Sequence, residues 1–196
     1  MLEDRRFWIF DLDGTLTLAK HDFDEMRRAL KLPPGGPILE ALATLPESEA
    51  REKRRLLDEI EWEIATIAEP QPGAGELLGQ LNRNGARLGI LTRNTLANAL
   101  HTLEACGLSQ YFSTEDIVSR GCAAPKPSPD GIIKLVTRWA CHCNQGVMVG
   151  DYLFDMQCGK AAGTTTVYFD PRNERLWNQH ADLTVNSLAE LAGLVV

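Results

Sequence analysis

The apolar residues of this chain follow two different spacings, and the change between them divides the sequence into segments. An unbroken run of bulky residues covers 7–10 and leads directly into two acids and a glycine, Asp11, Asp13 and Gly14. Such a run is typical of a β-strand that is covered on both faces. Because side chains alternate along an extended chain, Asp11 and Asp13 are predicted to point to the same side.

Between Leu18 and Pro70 the apolar residues recur every three or four positions, which predicts helices and no strand. The longest of these helices is predicted to begin near Ser48 and to end before Pro70. Its apolar stripe comprises Leu56, Leu57, Ile60, Ile64 and Ile67. Charged residues occupy its other faces, so the helix is predicted to be amphipathic.

From residue 70 onward, strand-like and helix-like segments alternate. The predicted strands cover 87–92, 116–119, 146–150, 164–169 and 182–185. Strands that alternate with helices of this length indicate right-handed crossovers and a parallel sheet. The sequence therefore predicts an α/β core formed by 1–18 and 70–196, interrupted by an all-helical insert over 19–69.

Composition narrows the classes of function that suit this fold. The chain has 196 residues, of which 44% are hydrophobic, and this is enough for a packed core with an insert. A formal net charge of −7 argues against nucleic acid and anionic membranes as partners, because both would be repelled. Five scattered cysteines favour free thiols, and no apolar segment reaches the ~18 residues of a membrane span. We therefore expect a soluble, cytoplasmic protein.

Polar residues stand at four predicted strand ends. They are Asp11 with Asp13, Thr92, Lys126, and Asp151 with Asp155. Because the carboxyl ends of parallel strands meet at one edge of a sheet, we expect these residues to share a site. Taken one at a time, each has an ordinary structural interpretation as a turn, cap, strand or surface residue. Their ordered combination favours a common chemistry.

These residue types suit phosphoryl transfer. Asp11 would be a nucleophile that forms an aspartyl-phosphate, and Asp13 would protonate the leaving oxygen and later deprotonate the attacking water. Mg²⁺ prefers oxygen ligands, so Asp11, the backbone carbonyl of Asp13 and Asp151 would be sufficient to hold it. The cation would also reduce the repulsion between an acidic nucleophile and an anionic substrate.

Other residues near these strand ends would assist the same chemistry. Thr92 and Lys126 offer a hydroxyl group and a compact positive charge to phosphate oxygens whose charge grows in the transition state. Asp155 would orient either the lysine or a water beside the metal. Arg93 is a candidate for phosphate contact, with a solvated loop residue as the simpler interpretation. Asn94 is predicted to be the N-cap of the following helix.

The segment DLDGTLT at 11–17 resembles motif I of the haloacid dehalogenase-like (HAD) superfamily. Thr92 is similar to the Ser/Thr of motif II, Lys126 to the lysine of motif III, and GDYLFD at 150–155 to motif IV. The helical insert after motif I resembles the C1 cap of the phosphoglycolate phosphatase-like subgroup. The resemblance implies a HAD-like Rossmannoid fold, in which a parallel sheet is flanked by helices and carries a small helical cap over 19–69.

The resemblance also implies roles for individual residues. The catalytic residues would be Asp11, Asp13, Thr92, Lys126 and Asp155; the substrate would contact Asp11, Thr92, Arg93 and Lys126; and the metal would be held by Asp11, Asp13 and Asp151. True dehalogenases lack an acid at the position of Asp13, so this residue implies phosphate chemistry. The sequence departs from the common pattern at Tyr152, where many members have a small residue, and at Arg93, where asparagine is frequent.

We therefore predict a magnesium-dependent phosphatase that hydrolyses a small phosphorylated metabolite through an aspartyl-phosphate, as a monomer or homodimer. One alternative is a phosphomutase, which would need a basic cap residue for a second phosphate. Another is a phosphonate hydrolase, which would need a Schiff-base lysine in the cap, for which Lys20, Lys31 and Lys53 are weak candidates. The last is a non-enzymatic phosphoacceptor or partner-binding protein. Candidates for substrate contact in the cap are Lys20, His21, Arg27 and Arg28.

Overall fold

In the computed structural model, which describes residue 2 and residues 4–195, a parallel sheet forms the centre of the molecule. Its strands are β1 (Phe7–Phe10), β2 (Arg87–Leu91), β3 (Ile117–Val118), β4 (Gly146–Gly150), β5 (Thr165–Phe169) and β6 (Leu183–Val185). The strand order is β3-β2-β1-β4-β5-β6, and every neighbouring pair is parallel. β1 therefore lies between β2 and β4, and its carboxyl end is near the middle of one sheet edge.

Helices connect the strands and cover both faces of the sheet. In the described residues they are α1 (Phe23–Ala29), α2 (Ile38–Ala43), α3 (Glu47–Thr66), α4 (Ala74–Arg83), α5 (Leu96–Ala105), α6 (Asp130–Arg138), α7 (Leu153–Ala162) and α8 (Leu188–Gly193). The first three follow β1 without an intervening strand, which confirms the predicted fold class of an α/β core with a helical insert. β3 is shorter than the predicted strand over 116–119, because Thr114–Asp116 forms a 3₁₀ turn.

The side chains of β1 alternate between two apolar layers. Phe7 and Ile9 pack with residues of α6 and α7 on one face, whereas Trp8 and Phe10 pack with residues of α4, α5 and α8 on the other. All four side chains are fully buried. A strand that is covered on both faces needs apolar residues at every position, which explains the unalternating run in the sequence.

The helical insert has a small apolar cluster of its own. This cluster consists of the buried residues Met26, Leu30, Ile38, Leu42 and Leu57. α3 also packs on α5, where the rings of Trp62 and His101 stack with centroids 4.2 Å apart. The insert thus combines an internal cluster with contacts to the α/β core. Its division from the core as a cap domain over 19–69 stays a prediction.

The structure also bears on the cysteines and on membrane insertion. All five cysteines are free thiols, as the sequence predicted, and Cys106 and Cys158 are buried. Within the described part of the chain, no helix combines the length and the apolar character needed to cross a bilayer.

Substitution of Gly146, the first residue of β4, tests the packing around β1. A Cβ atom added at this position would lie 1.9 Å from Cε2 of Phe7, whose ring is fully buried. Gly146→Ala therefore forces the ring to move inside a closed core. We expect the free energy of unfolding, measured by urea denaturation, to fall by about 1–3 kcal/mol.

Gly193→Ala is the matched control for this substitution. A Cβ atom at Gly193 meets no atom within 4 Å, so the variant is expected to be as stable as the natural protein or slightly more stable. Equal stability of the two variants would contradict the packing described around Phe7.

Candidate active site

The carboxyl ends of the central strands form one wall of a cavity of about 410 Å³, and residues of the helical insert form the opposite wall. The strand-end residues in the cavity wall are Asp11, Asp13, Thr92, Arg93, Lys126, Asp151 and Asp155. The structure thus brings together every site residue that the sequence placed at a strand end. The catalytic, substrate-binding and metal-binding roles of these residues remain predictions.

Lys126 is enclosed between two carboxylates. Its Nζ atom lies 2.5 Å from Oδ1 of Asp11 and 2.7 Å from Oδ1 of Asp155. Burial by itself would lower the pKa of this ammonium group, but the two carboxylates outweigh burial and raise the pKa above its ordinary value. Lys126 is therefore charged, and it joins the end of β1 to the first turn of α7.

Three carboxylates converge around this lysine. Asp11, Asp151 and Asp155 have ligand oxygen atoms that lie within 4.8 Å of one another. Burial raises the pKa of Asp151 well above its usual range, and the charges of Asp11 and Asp155 add to the rise. Burial also raises the pKa of Asp155 to about 6, in spite of the attraction of Lys126. The negative charge is therefore only partly compensated, and this set of oxygen donors fits a Mg²⁺ ion.

Two glycines allow the chain to pass close to these carboxylates. Gly14 has a φ angle of +85°, and a Cβ atom there would lie 2.4 Å from Oδ2 of Asp151. A Cβ atom at Gly150 would lie 2.3 Å from Cγ of Asp155. A side chain at either position would displace a carboxylate, and residue 14 also needs a left-handed backbone conformation that glycine adopts readily.

Asp13 lies on the same side of the chain as Asp11 but has different partners. Its Oδ2 atom accepts a hydrogen bond of 2.6 Å from Nδ2 of Asn94, and its Oδ1 atom is 4.0 Å from Nδ1 of His21. Burial is the main cause of a raised pKa at Asp13; His21 opposes the rise and Asp11 adds to it. A carboxyl group with a raised pKa can hold a proton nearer neutral pH, as a general acid must.

The contact of Asn94 with Asp13 corrects the prediction that Asn94 is an N-cap. The N-cap of α5 is Thr95, whose backbone is extended and whose side chain accepts a hydrogen bond from the amide of Asn98. Because Thr95 stands directly before the helix and satisfies its free amide, the side chain of Asn94 is available for the site. The backbone amide of Asn94 also donates to Oγ1 of Thr92 at 3.1 Å.

Arg93 connects the strand end to the insert. Its Nη2 atom lies 2.5 and 2.6 Å from the two carboxylate oxygens of Glu40 in α2. Its guanidinium group lies 5.5 Å from the centre of the Phe154 ring, and its Nε atom is buried without an acceptor among the described residues. Arg93 thus lies in the cavity wall, and its Nε–H group has no acceptor within the described part of the chain. Its contact with substrate phosphate stays a prediction.

The sequence interpretation missed a buried ion pair in the opposite wall. Glu61 of α3 is 6% exposed, and its Oε1 atom accepts a hydrogen bond of 2.7 Å from Nη2 of Arg120, which also contacts Asp58 at 3.1 Å. Burial raises the pKa of Glu61 to about 7 in spite of the attraction of Arg120. The sequence did contain an indication, because Glu61 lies four residues from Leu57 and from Ala65, on the buried face of the helix.

The chain is similar to known hydrolases in sequence and in fold. Residues 8–169 match the family model of haloacid dehalogenase-like hydrolases. An uncharacterized hydrolase of Saccharomyces cerevisiae is 31% identical over 95% of this chain and 89% of its own length. A phosphoglycolate phosphatase of Salmonella choleraesuis is 27% identical over 80% of this chain, which spans 60% of that enzyme. The crystal structure of a predicted phosphoglycolate phosphatase from Haemophilus somnus has the same fold, with a TM-score of 0.80, 20% identity and coverage of 100% of both chains.

The crowded carboxylates predict a stabilising effect of Mg²⁺ that depends on pH. A raised pKa means that ionisation destabilises the folded protein, so the metal-free protein loses stability as the pH rises from about 4 through the pKa of Asp155 near 6. Mg²⁺ held by the ionised carboxylates would offset this loss. We expect the increase in melting temperature on adding Mg²⁺ to be larger at about pH 7.5 than at about pH 5.

Two variants make this measurement specific. Asp151→Asn should lose most of the increase, whereas Asp24→Asn, at a cavity acid outside the carboxylate cluster, should keep it. An increase that is independent of pH, or that persists in Asp151→Asn, would contradict the metal assignment.

Proposed function

Because the chain belongs to the haloacid dehalogenase-like hydrolase family, we propose that it is a magnesium-dependent phosphatase that hydrolyses a small phosphomonoester through an aspartyl-phosphate. One observation carries this proposal: the paired acids Asp11 and Asp13 have unequal surroundings within one cavity. Lys126 lies beside the first acid, and Asn94 beside the second. This difference suits a nucleophile next to an acid/base catalyst. The similarity to a phosphoglycolate phosphatase supports the same reaction class.

In the first half-reaction, a carboxylate oxygen of Asp11 attacks the phosphorus atom and the bond from phosphorus to the leaving oxygen breaks. Asp13 gives its proton to that oxygen, so the product leaves as a neutral alcohol. The raised pKa of Asp13 supports this role, because the group must carry a proton when the substrate arrives. Lys126 and the hydroxyl group of Thr92 would contact the phosphate oxygens and stabilise their charge.

In the second half-reaction, water attacks the phosphorus atom of the aspartyl-phosphate. Asp13, now ionised, accepts a proton from this water, and the bond from phosphorus to the Asp11 oxygen breaks. Inorganic phosphate is released, Asp11 is again a carboxylate and Asp13 is again protonated. One pair of acids therefore serves both steps, and the protein returns to its starting state.

Mg²⁺ would be held by Asp11, the backbone carbonyl of Asp13 and Asp151, and would supply positive charge between the acidic site and the anionic phosphate. The incomplete compensation of the carboxylates supports this assignment. Asp155 acts through Lys126: it is buried, pairs with the ammonium group at 2.7 Å and accepts a hydrogen bond from the amide of Tyr152. Asp155 is therefore a positioning residue.

The surroundings of the lysines favour a phosphatase over a phosphonate hydrolase. Lys126 is the only lysine in the cavity wall among the described residues. Of the insert lysines, Lys20 pairs with Glu69, and Lys53 lies 3.4 Å from Glu49 and donates to the carbonyl of Leu30. These partners hold both ammonium groups outside the cavity, where neither can form a Schiff base with a bound substrate.

Asp11→Asn tests the nucleophile. An amide of the same shape is a very poor nucleophile toward phosphorus, so we expect no measurable turnover of p-nitrophenyl phosphate in the presence of Mg²⁺. A melting temperature close to that of the natural protein would show that the loss is chemical rather than structural. Turnover at the natural rate would rule out the assignment of Asp11.

Asp13→Asn tests the acid/base catalyst. The substitution should lower kcat by roughly 10² to 10⁴, the usual effect of losing general acid/base catalysis. Release of an alkoxide requires protonation more than release of p-nitrophenolate does. The loss should therefore be larger for an alkyl phosphate than for p-nitrophenyl phosphate. A loss below about tenfold for both substrates would count against this role.

A further inference from the structure

Beyond the strand ends, the cavity is lined mainly by apolar side chains, among them Phe23, Ile38, Leu39 and Phe154. In the proposed phosphatase, the part of the substrate beyond its phosphate would occupy this region. Apolar walls give little discrimination between polar groups, so the few charged residues among them decide which substrates bind.

The cationic residues of these walls are already bonded within the protein. Arg27 donates its Nε hydrogen to the carbonyl oxygen of Pro33 at 2.7 Å and its Nη1 hydrogen to the carbonyl oxygen of Gly36. Arg93 is paired with both carboxylate oxygens of Glu40. A second phosphate or a carboxylate on the substrate would compete with these acceptors for the same guanidinium groups.

Unlike these arginines, Glu61 has an unpaired oxygen atom: one of its two carboxylate oxygens has no hydrogen-bond partner among the described residues. Arg120 donates to its Oε1 atom, but its Oε2 atom is buried and accepts no hydrogen bond from any described residue. A buried carboxylate oxygen without a donor is unfavourable, and the raised pKa of Glu61 reflects the same burial. Glu61 also forms part of the cavity wall, next to the space that a substrate would occupy.

We propose that Glu61 determines substrate specificity by accepting a hydrogen bond from a hydroxyl or ammonium group on the leaving alcohol. This inference rests on the proposed phosphatase function. It assigns as substrates the phosphomonoesters of polyols or amino alcohols. It disfavours phosphorylated carboxylic acids and bisphosphates, because their second anion would face the carboxylate of Glu61.

Matched pairs of substrates test this selection, because each pair differs at one carbon. Glycerol 3-phosphate and 3-phosphoglycerate form a short pair, and sorbitol 6-phosphate and 6-phosphogluconate form a long one; in each, a hydroxymethyl group replaces a carboxylate. 2-Aminoethyl phosphate and phosphoglycolate provide the ammonium pair. We expect the donor-bearing member of at least one pair to have a kcat/KM that is higher by about tenfold or more. The preferred pair shows whether the donor is a hydroxyl or an ammonium group.

Glu61→Gln links the selection to this residue. The substitution keeps the shape of the side chain and removes its negative charge. We expect the ratio of kcat/KM for the preferred substrate to that for its carboxylate partner to fall about tenfold. A residue that only held the insert in place would change both rates together and leave this ratio unaltered.

Asp58→Asn is the matched control, because Asp58 contacts the same arginine from an exposed position outside the cavity wall. The ratio of the two kcat/KM values should be the same in Asp58→Asn as in the natural protein.

Hydrolysis of p-nitrophenyl phosphate, which has no donor group, distinguishes a failure of the proposed phosphatase function from a failure of the assignment of Glu61. If neither p-nitrophenyl phosphate nor any substrate of the pairs is hydrolysed, the phosphatase function and the assignment of Glu61 both fail. If p-nitrophenyl phosphate is hydrolysed but no pair favours the donor, or Glu61→Gln leaves the ratio unchanged, the assignment of Glu61 alone fails.

Discussion

A buried ammonium group holds the strand ends of this protein together. Lys126 reaches from the loop after β3 to Asp11 at the end of β1 and to Asp155 in α7. Charges at this depth are tolerated only when they are paired, so each partner depends on the others for its position. The same cluster contains more carboxylates than one lysine can neutralise. The arrangement that orders the site thus also gathers the oxygen donors that are proposed to hold Mg²⁺.

The helical insert completes the site through a second set of ion pairs. Glu40 and Glu61 of the insert engage Arg93 and Arg120 of the core, and three of these residues, Glu61, Arg93 and Arg120, lie in the walls of the cavity. Partly desolvated pairs of this kind are worth more than exposed ones, because solvent screens them less. Residues that join the insert to the core therefore also line the space between them.

The sequence predicted the parts of the site that depend on local pattern and on sheet topology. The apolar runs and the parallel connections place Asp11, Thr92, Lys126 and Asp151 at one edge of the sheet, and the structure confirms this edge and the family. The side-chain contact of Asn94 depends on the exact path of the chain after β2, so a capping rule assigned it wrongly. Such contacts between distant segments leave no periodic pattern in the sequence.

The contribution of the insert was harder to predict for a related reason. The spacing of Glu61 from Leu57 and Ala65 places it on the buried face of α3, but its partner Arg120 lies 59 positions away in the chain, and no local pattern predicts that contact.

The pairing of Lys126 with Asp11 spans 115 positions in the sequence. A chain that is still being synthesised contains Asp11 from its first strand onward, but it lacks Lys126 and the later carboxylates until four of the six strands have been made. Closing a loop of this length costs chain entropy, so contacts of high sequence separation form slowly. The carboxylate cluster around Lys126 can therefore be complete only after the chain has been synthesised through Asp155.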